Sequence, residues 1–191
     1  GFEQLNLVAE QVEPNPDFPT VAFPNPEEPG ALDLALAAAE EAGSDLILAH
    51  DPDADRLAVV ARDAEGALKP FTGDQLGALI AHELFEQRAA RGLPLSERQM
   101  VATTLVSSSL LGVMAERVGV RFVETLTGFK WIANAALEHE AAHQAPHHTE
   151  GGEFLFGYEE AIGYSVGSLV RDKDGVSAAL FVADMAARAQ A

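Results

Sequence analysis

From residue 72 onward, short apolar runs alternate with stretches whose apolar residues recur at helical spacing. Few architectures other than a helix-flanked sheet accommodate that order. Thr72 and Gln75 in TGDQ have the spacing of a capping box, and Leu76, Leu79, Ile80 and Leu84 mark one face of a helix running toward Gly92. MVATTLV then reads as a strand, SLLGVMAERVG as a helix closed by Gly119, and VRFVE as a strand. KWIANAALEHEA reads as a helix, EFLFGY as a strand, and DGVSAALFVADMAARAQ as a final helix. Such an order predicts a parallel sheet whose ligand sites lie beyond the carboxyl ends of its strands.

The preceding segment is different. Six of the ten prolines fall between Pro14 and Pro29, where missing N–H groups and restricted pre-proline residues forbid a helix. ALDLALAAAEEAG follows, with Leu32, Ala35, Leu36 and Ala39 on one face and Gly43 placed to close the helix. LILA (46–49) and LAVVA (57–61) read as strands, and DAEG near 63–66 as a turn. A boundary near residue 70 is expected, separating two α/β domains with mixed or parallel sheets flanked by helices, the first of them incomplete.

Charge narrows function. Twelve basic residues stand against 30 acidic ones, a formal net charge of −18, which disfavours nucleic acid and anionic membrane surfaces as partners. An anionic ligand would need a local cluster of cations, a metal ion or backbone N–H groups. There is no cysteine, which excludes thiolate chemistry and Cys-based zinc sites. No apolar run approaches the roughly 18 residues that span a bilayer. The opening GFEQLNLVAEQVEP lacks the pattern of a secretory signal, so a cytoplasmic location is expected.

The segment richest in chemistry is HDPDADR (50–56), in which Asp51, Asp53 and Asp55 alternate directly after an apolar strand and Arg56 follows. Carboxylates so close repel one another unless a cation neutralises them. Mg²⁺ suits such oxygen ligands, and Arg56 could grip a phosphate beside it. A solvated acidic turn is the plain alternative. A calcium EF-hand fails, because loop positions six and twelve are Arg56 and Arg62 rather than Gly and Glu. An aspartyl-phosphatase, with Asp51 as nucleophile, stays open. HEAAH places His139, Glu140 and His143 in a zinc-protease pattern, but Pro146 and Thr149 stand where its extended form wants Gly and His. That stretch reads better as a polar helix end.

HDPDADRLAV resembles the metal loop of the α-D-phosphohexomutases, the phosphoglucomutase and phosphomannomutase superfamily, and in particular its phosphopentomutase-like branch. FPTVAFPNPEEPGA (18–31), TLTGFKWI (125–132), FGYEEAIGY (156–164) and RDKDGVSAA (171–179) follow in the order of that branch. The resemblance implies that Asp51, Asp53 and Asp55 ligate Mg²⁺ facing a phosphoserine, with Arg56 beside the phosphate. It places Thr127, Gly128 and Lys130 in a sugar-facing loop, makes Glu159 an acceptor for sugar hydroxyls, and makes Lys173 the acid/base candidate. Ala161 departs from the family pattern, which has Ser there. The reaction implied is transfer of a phosphoryl group between the 1-position and the 6- or 5-position of a sugar phosphate, through a bisphosphorylated sugar that also serves as activator.

In this superfamily the nucleophilic serine precedes His-Asn, and no Ser here is followed by His. The expectation is therefore an internal piece: part of a second domain with the metal loop (1–69) and a third domain with the sugar loop (70–191), inactive as a mutase by itself. Self-association through the truncated sheet is expected. A phosphatase-type hydrolase and a non-catalytic sugar-phosphate binding module are the competing functions.

Overall fold

The computed structural model describes residues 2, 4–142 and 151–189. After a 3-10 turn at Ala9–Gln11 the proline-rich segment runs through turns and bends without a helix, as its missing N–H groups require. Helix α1 (Asp33–Ala42) leads to strands β1 (Leu46–His50), β2 (Leu57–Arg62) and β3 (Leu68–Pro70). Helix α2 (Gly73–Ala90) then opens the longer series: β4 (Gln99–Thr104), α3 (Leu110–Val118), β5 (Arg121–Thr125), α4 (Phe129–Ala142), β6 (Glu153–Glu159), β7 (Gly163–Val166) and α5 (Gly175–Ala189).

The strands form two sheets, ordered β1-β2-β3 and β5-β4-β6-β7. In the second, β4 pairs in parallel with β5 and β6, as the alternation predicts, while β7 returns antiparallel to β6. The first sheet is antiparallel throughout. The reason is chain length: β1 and β2 are joined only by residues 51–56, and a parallel crossover needs about a dozen residues or more. Strands β3 and β7 are not apparent from periodicity. Leu68–Pro70 is too short, and GYSV carries Gly and Ser where a strand pattern would be sought.

Strand β2 decides the packing. Leu57 and Val59 face a core containing Leu76 and Ile80 of α2, Phe156, Tyr158 and Tyr164 of the second sheet, and Ala178 and Val182 of α5. Val60 faces the other way, onto Ile47 and Ala39, with Leu32, Ala35 and Leu36 of α1 against them. One core therefore runs from the first sheet into the second. On the far side of the second sheet, Met100, Ala102 and Phe154 pack on Phe129, Ile132 and Ala136 of α4. Leu79, expected on the inner face of α2, is instead 38% exposed at its margin. Among the described residues no helix is long and apolar enough to cross a membrane.

Helix α2 begins where the sequence places it. Thr72 Oγ1 accepts from the Gln75 N–H at 3.2 Å, and Gln75 Oε1 accepts from the Thr72 N–H at 3.0 Å. Thr72→Ala removes that cap and should lower the unfolding free energy by about 1 kcal/mol in urea titration, whereas Thr72→Ser should retain most of it.

Candidate functional site

The Asp51–Arg56 loop leaves the carboxyl end of β1 and returns as β2. Its tightness comes from the Ala54 N–H donating to the Asp51 carbonyl at 3.0 Å, with Ala54 itself left-handed at φ 56°. Asp51 is buried at 6% exposure, Asp55 half-buried and Asp53 exposed, and their carboxylate oxygens lie within 4.8 Å of one another. The Asp51 carboxylate accepts from the Arg56 backbone N–H at 3.1 Å and from Arg56 Nε at 2.6 Å. Burial by itself would raise the Asp51 carboxyl, but these bonds and the guanidinium charge outweigh it and hold it below the usual carboxylate range. Burial pulls Arg56 down, and the Asp51 bond with the charges of Asp51, Asp55 and Glu27 lifts it above its ordinary value. Both groups are therefore charged at neutral pH.

The second sheet closes on this loop at Gly163. Arg56 forms a single β-bridge with Gly163, and the Leu57 N–H donates to the Ile162 carbonyl at 3.0 Å. Gly163 also pairs with Glu159 across β6 and β7. Its missing side chain makes room for Lys173: a Cβ there would stand 2.5 Å from Lys173 Cδ. Lys173 Nζ thereby reaches Asp55 at 2.6 Å. Burial lowers the Lys173 ammonium, but the Asp55 bond and the charges of Asp55, Asp172 and Glu159 raise it above its ordinary value.

Helix α5 buttresses the same loop. A Cβ on Gly175 would stand 2.5 Å from the Arg56 carbonyl oxygen, 2.7 Å from that of Ala54 and 2.8 Å from His50 Nδ1. His50 Nδ1 lies 2.9 Å from the Arg56 carbonyl oxygen and donates to it. Asp174 caps the helix, its Oδ1 accepting from the Ser177 N–H at 3.1 Å, and its own N–H donates to the Tyr164 carbonyl at 2.7 Å.

Beyond β5, residues 126–128 form a second loop. Glu159 Oε1 accepts from the Gly128 N–H at 2.7 Å, tying that loop to the end of β6. Asp51, Asp53, Asp55, Arg56, Lys173, Glu159 and Gly128 are thus brought together, directly or through Gly163. Thr127 is exposed on the same loop. Lys130 is exposed and its Nζ lies 5.4 Å from the Trp131 ring centroid, a cation–π contact. The two described chemical residues of HEAAH go to different partners. His139 is buried with Nε2 2.8 Å from the Arg98 carbonyl oxygen, and Glu140 is paired with Arg171 at 2.7 Å. His143 lies outside the described residues.

A model described as phosphoglucomutase/phosphomannomutase alpha/beta/alpha domain III matches residues 72–191, and the corresponding domain II model matches residues 1–66. The chain belongs to the phosphoglucomutase/phosphomannomutase family. It is 50% identical to the "Probable phosphoribomutase" of Schizosaccharomyces pombe, over 88% of this chain and 27% of that protein. Human phosphopentomutase is 43% identical over 94% of the chain and 28% of its own length. Human glucose 1,6-bisphosphate synthase is 43% identical over 97% of the chain and 29% of its own length. The chain thus spans between a quarter and a third of these curated relatives. The crystal structure of a phosphoglucomutase/phosphomannomutase family protein from Burkholderia thailandensis shares the fold, with a TM-score of 0.57 at 19% identity over 83% of this chain and 30% of that one.

Sequence reasoning about this family member missed His50, Gly163 and Gly175. Gly163 and Gly175 lie inside the FGYEEAIGY and RDKDGVSAA motifs, but a glycine's role in a close approach appears only when the opposing backbone is in place. Gly175→Ala should lower stability by about 1–3 kcal/mol in urea unfolding and shift the Asp51–Arg56 amide resonances, because two carbonyl oxygens cannot swing aside. The helix-propensity gain of about 1 kcal/mol from Gly to Ala acts in the opposite sense and is outweighed.

Proposed function

We propose that the chain carries the metal loop and the sugar-recognition loop of a phosphosugar mutase, which moves a phosphoryl group between the 1-position and the 6- or 5-position through a phosphoserine and a bisphosphorylated sugar. The single observation that carries this reading is the convergence of a carboxylate triad, two cations and a sugar-competent carboxylate around Gly163. The names of the relatives, phosphoribomutase, phosphopentomutase and glucose 1,6-bisphosphate synthase, support it. Residues 1–69 would be part of the family's second domain and residues 70–191 its third.

The triad fits a hard divalent ion. Octahedral Mg²⁺ binds oxygen at about 2.0–2.1 Å, so ligand oxygens on one ion lie about 3–4 Å apart. Oxygens already within 4.8 Å reach that spacing by small rotamer changes. When bound, Mg²⁺ would neutralise oxygen charge on a phosphoryl group.

Arg56 lies beside that position as a fixed cation and would grip a phosphate oxygen through the N–H groups that Asp51 does not occupy. Lys173, raised by Asp55, is an ammonium at neutral pH and would donate a proton to the oxygen that loses its phosphoryl group. Glu159 has one carboxylate oxygen on Gly128 and the other available to accept from a sugar hydroxyl. The family's loop serine is Ala161 here, so Glu159 carries more of the hydroxyl recognition. Thr127 and Lys130 border the same loop.

The hydrolase alternative requires Asp51 as an in-line nucleophile. Both Asp51 oxygens already accept from Arg56, and the residue is buried. Those bonds lower its nucleophilicity and leave it no free approach to an in-line phosphorus. Beryllium fluoride should therefore leave Asp51 unmodified, as read by mass spectrometry.

Asp53→Asn, at the exposed member of the triad, should weaken Mg²⁺ binding at least tenfold in calorimetric titration, because a neutral amide replaces one of three charged ligands. In the full-length parent enzyme, Lys173→Met should lower kcat by about 10²–10⁴-fold, as expected for loss of a general acid. Glu159→Gln should act mainly on kcat/KM, by about tenfold, through lost hydroxyl contacts. Full mutase activity in the Lys173→Met enzyme would remove the assigned proton donor.

A further inference from the structure

Glu159 is held by one described hydrogen bond of its own, to Gly128, yet it ends a strand where a side chain could turn either way. The next residue is held firmly. The Glu160 N–H donates to Ser107 Oγ at 3.1 Å, and Glu160 Oε2 lies 3.0 Å from Ser107 Oγ and 3.3 Å from Thr104 Oγ1. Thr104 and Ser107 hydroxyls are 2.8 Å apart, so two O–H protons serve one carboxylate oxygen and one hydroxyl oxygen. Ser107 is itself held in place. Its N–H donates to the Thr104 carbonyl at 3.0 Å, and the neighbouring Ser108 N–H donates to Asp74 Oδ1 at 2.7 Å. The same Asp74 oxygen accepts from Tyr158 Oη at 2.9 Å, locking α2, the 105–109 loop and β6 together.

A second clamp acts from α2. A Cβ on Gly73 would stand 1.9 Å from the Glu160 carbonyl oxygen, so the helix start lies directly against the turn that follows Glu159. The partner loop is anchored to the same strand end: the Leu105 N–H donates to the Thr125 carbonyl at 2.8 Å, and Thr125 Oγ1 donates to the Thr103 carbonyl at 3.4 Å. Both sides of the Glu159–Gly128 bond are therefore referenced to the end of β4.

We infer that Ser107 and Glu160 form a positioning pair which, through the fixed β6–β7 turn, aims the Glu159 carboxylate at Gly128 and presents its second oxygen to a sugar hydroxyl. The inference deepens the proposed mutase function and rests on it for the identity of the ligand. The positioning itself is a property of this chain alone. Glu160 is not a catalytic residue: its carboxylate is turned toward β4 and acts through its neighbour.

The Gly128 amide reports the geometry directly by NMR, without activity. Ser107→Ala and Glu160→Gln should each speed Gly128 hydrogen exchange by about three- to tenfold, the size of one weakened hydrogen bond. Ser107→Thr, which keeps the hydroxyl, should restore the native rate. In a Glu159→Ala background neither change should move Gly128 further, since the bond they act through is gone. Affinity for α-D-glucose 1-phosphate should fall in step with the Gly128 effect.

A native Gly128 exchange rate in both variants would overturn the inference. So would faster exchange spread evenly over the sheet and retained in Ser107→Thr, which marks a general loss of stability. If Gly128 responds as stated while neither α-D-glucose 1-phosphate nor α-D-ribose 1-phosphate binds to any form of the protein, the positioning pair stands and the sugar-phosphate function fails.

Discussion

Among the described residues the backbones of the two sheets meet at one isolated β-bridge, between Arg56 and Gly163, and the arrangement of the candidate site depends on it. The bridge sets the end of the aspartate loop against the turn that follows Glu159. It can form only because Gly163 has no side chain, which leaves the aliphatic part of Lys173 room to cross it and reach Asp55. An acidic loop from an antiparallel sheet and the Glu159 strand end from a mixed sheet are thus held at fixed separation by backbone. Backbone pairing inside a shared core resists distortion better than contacts between mobile side chains.

Electrostatics follows from that placement. A chain with a formal net charge of −18 repels phosphate from most of its surface, so attraction has to be local. In the proposed site Arg56 and Lys173 would supply it, and each is itself fixed by a carboxylate of the triad. The Arg56–Asp51 pair is asymmetric: the carboxylate is buried and the guanidinium retains 28% exposure. Burying a carboxylate alone would be costly, and the paired cation with its backbone N–H offsets that cost. The exposed part of the guanidinium is what remains available to a ligand.

Much of the fold could be read along the chain. The Thr72–Gln75 box, Gly43 and Gly119 as left-handed helix ends, and the inner face of α1 are local signals, and each appears where periodicity puts it. The site was legible in part, because HDPDADR is contiguous and its chemistry is written in three alternating carboxylates. Glu160 and Ser107 could not be found that way. They lie 53 positions apart and meet only when β6 has paired beside β4. HEAAH shows the converse: a local pattern with zinc-site spacing, set aside on sequence grounds, in which the fold points His139 into the core and Glu140 toward Arg171.

Local chemistry fixed the helix starts and stops, the acidic loop at a strand's carboxyl end, and the surplus of negative charge, since all of these depend on residues within a turn or two of one another. The joining of both sheets through one core, and the meeting of Asp55, Lys173, Gly163 and Glu159, were decided by tertiary structure. Those outcomes depend on backbone segments separated by about a hundred residues approaching within van der Waals distance, and no short stretch of sequence encodes that separation.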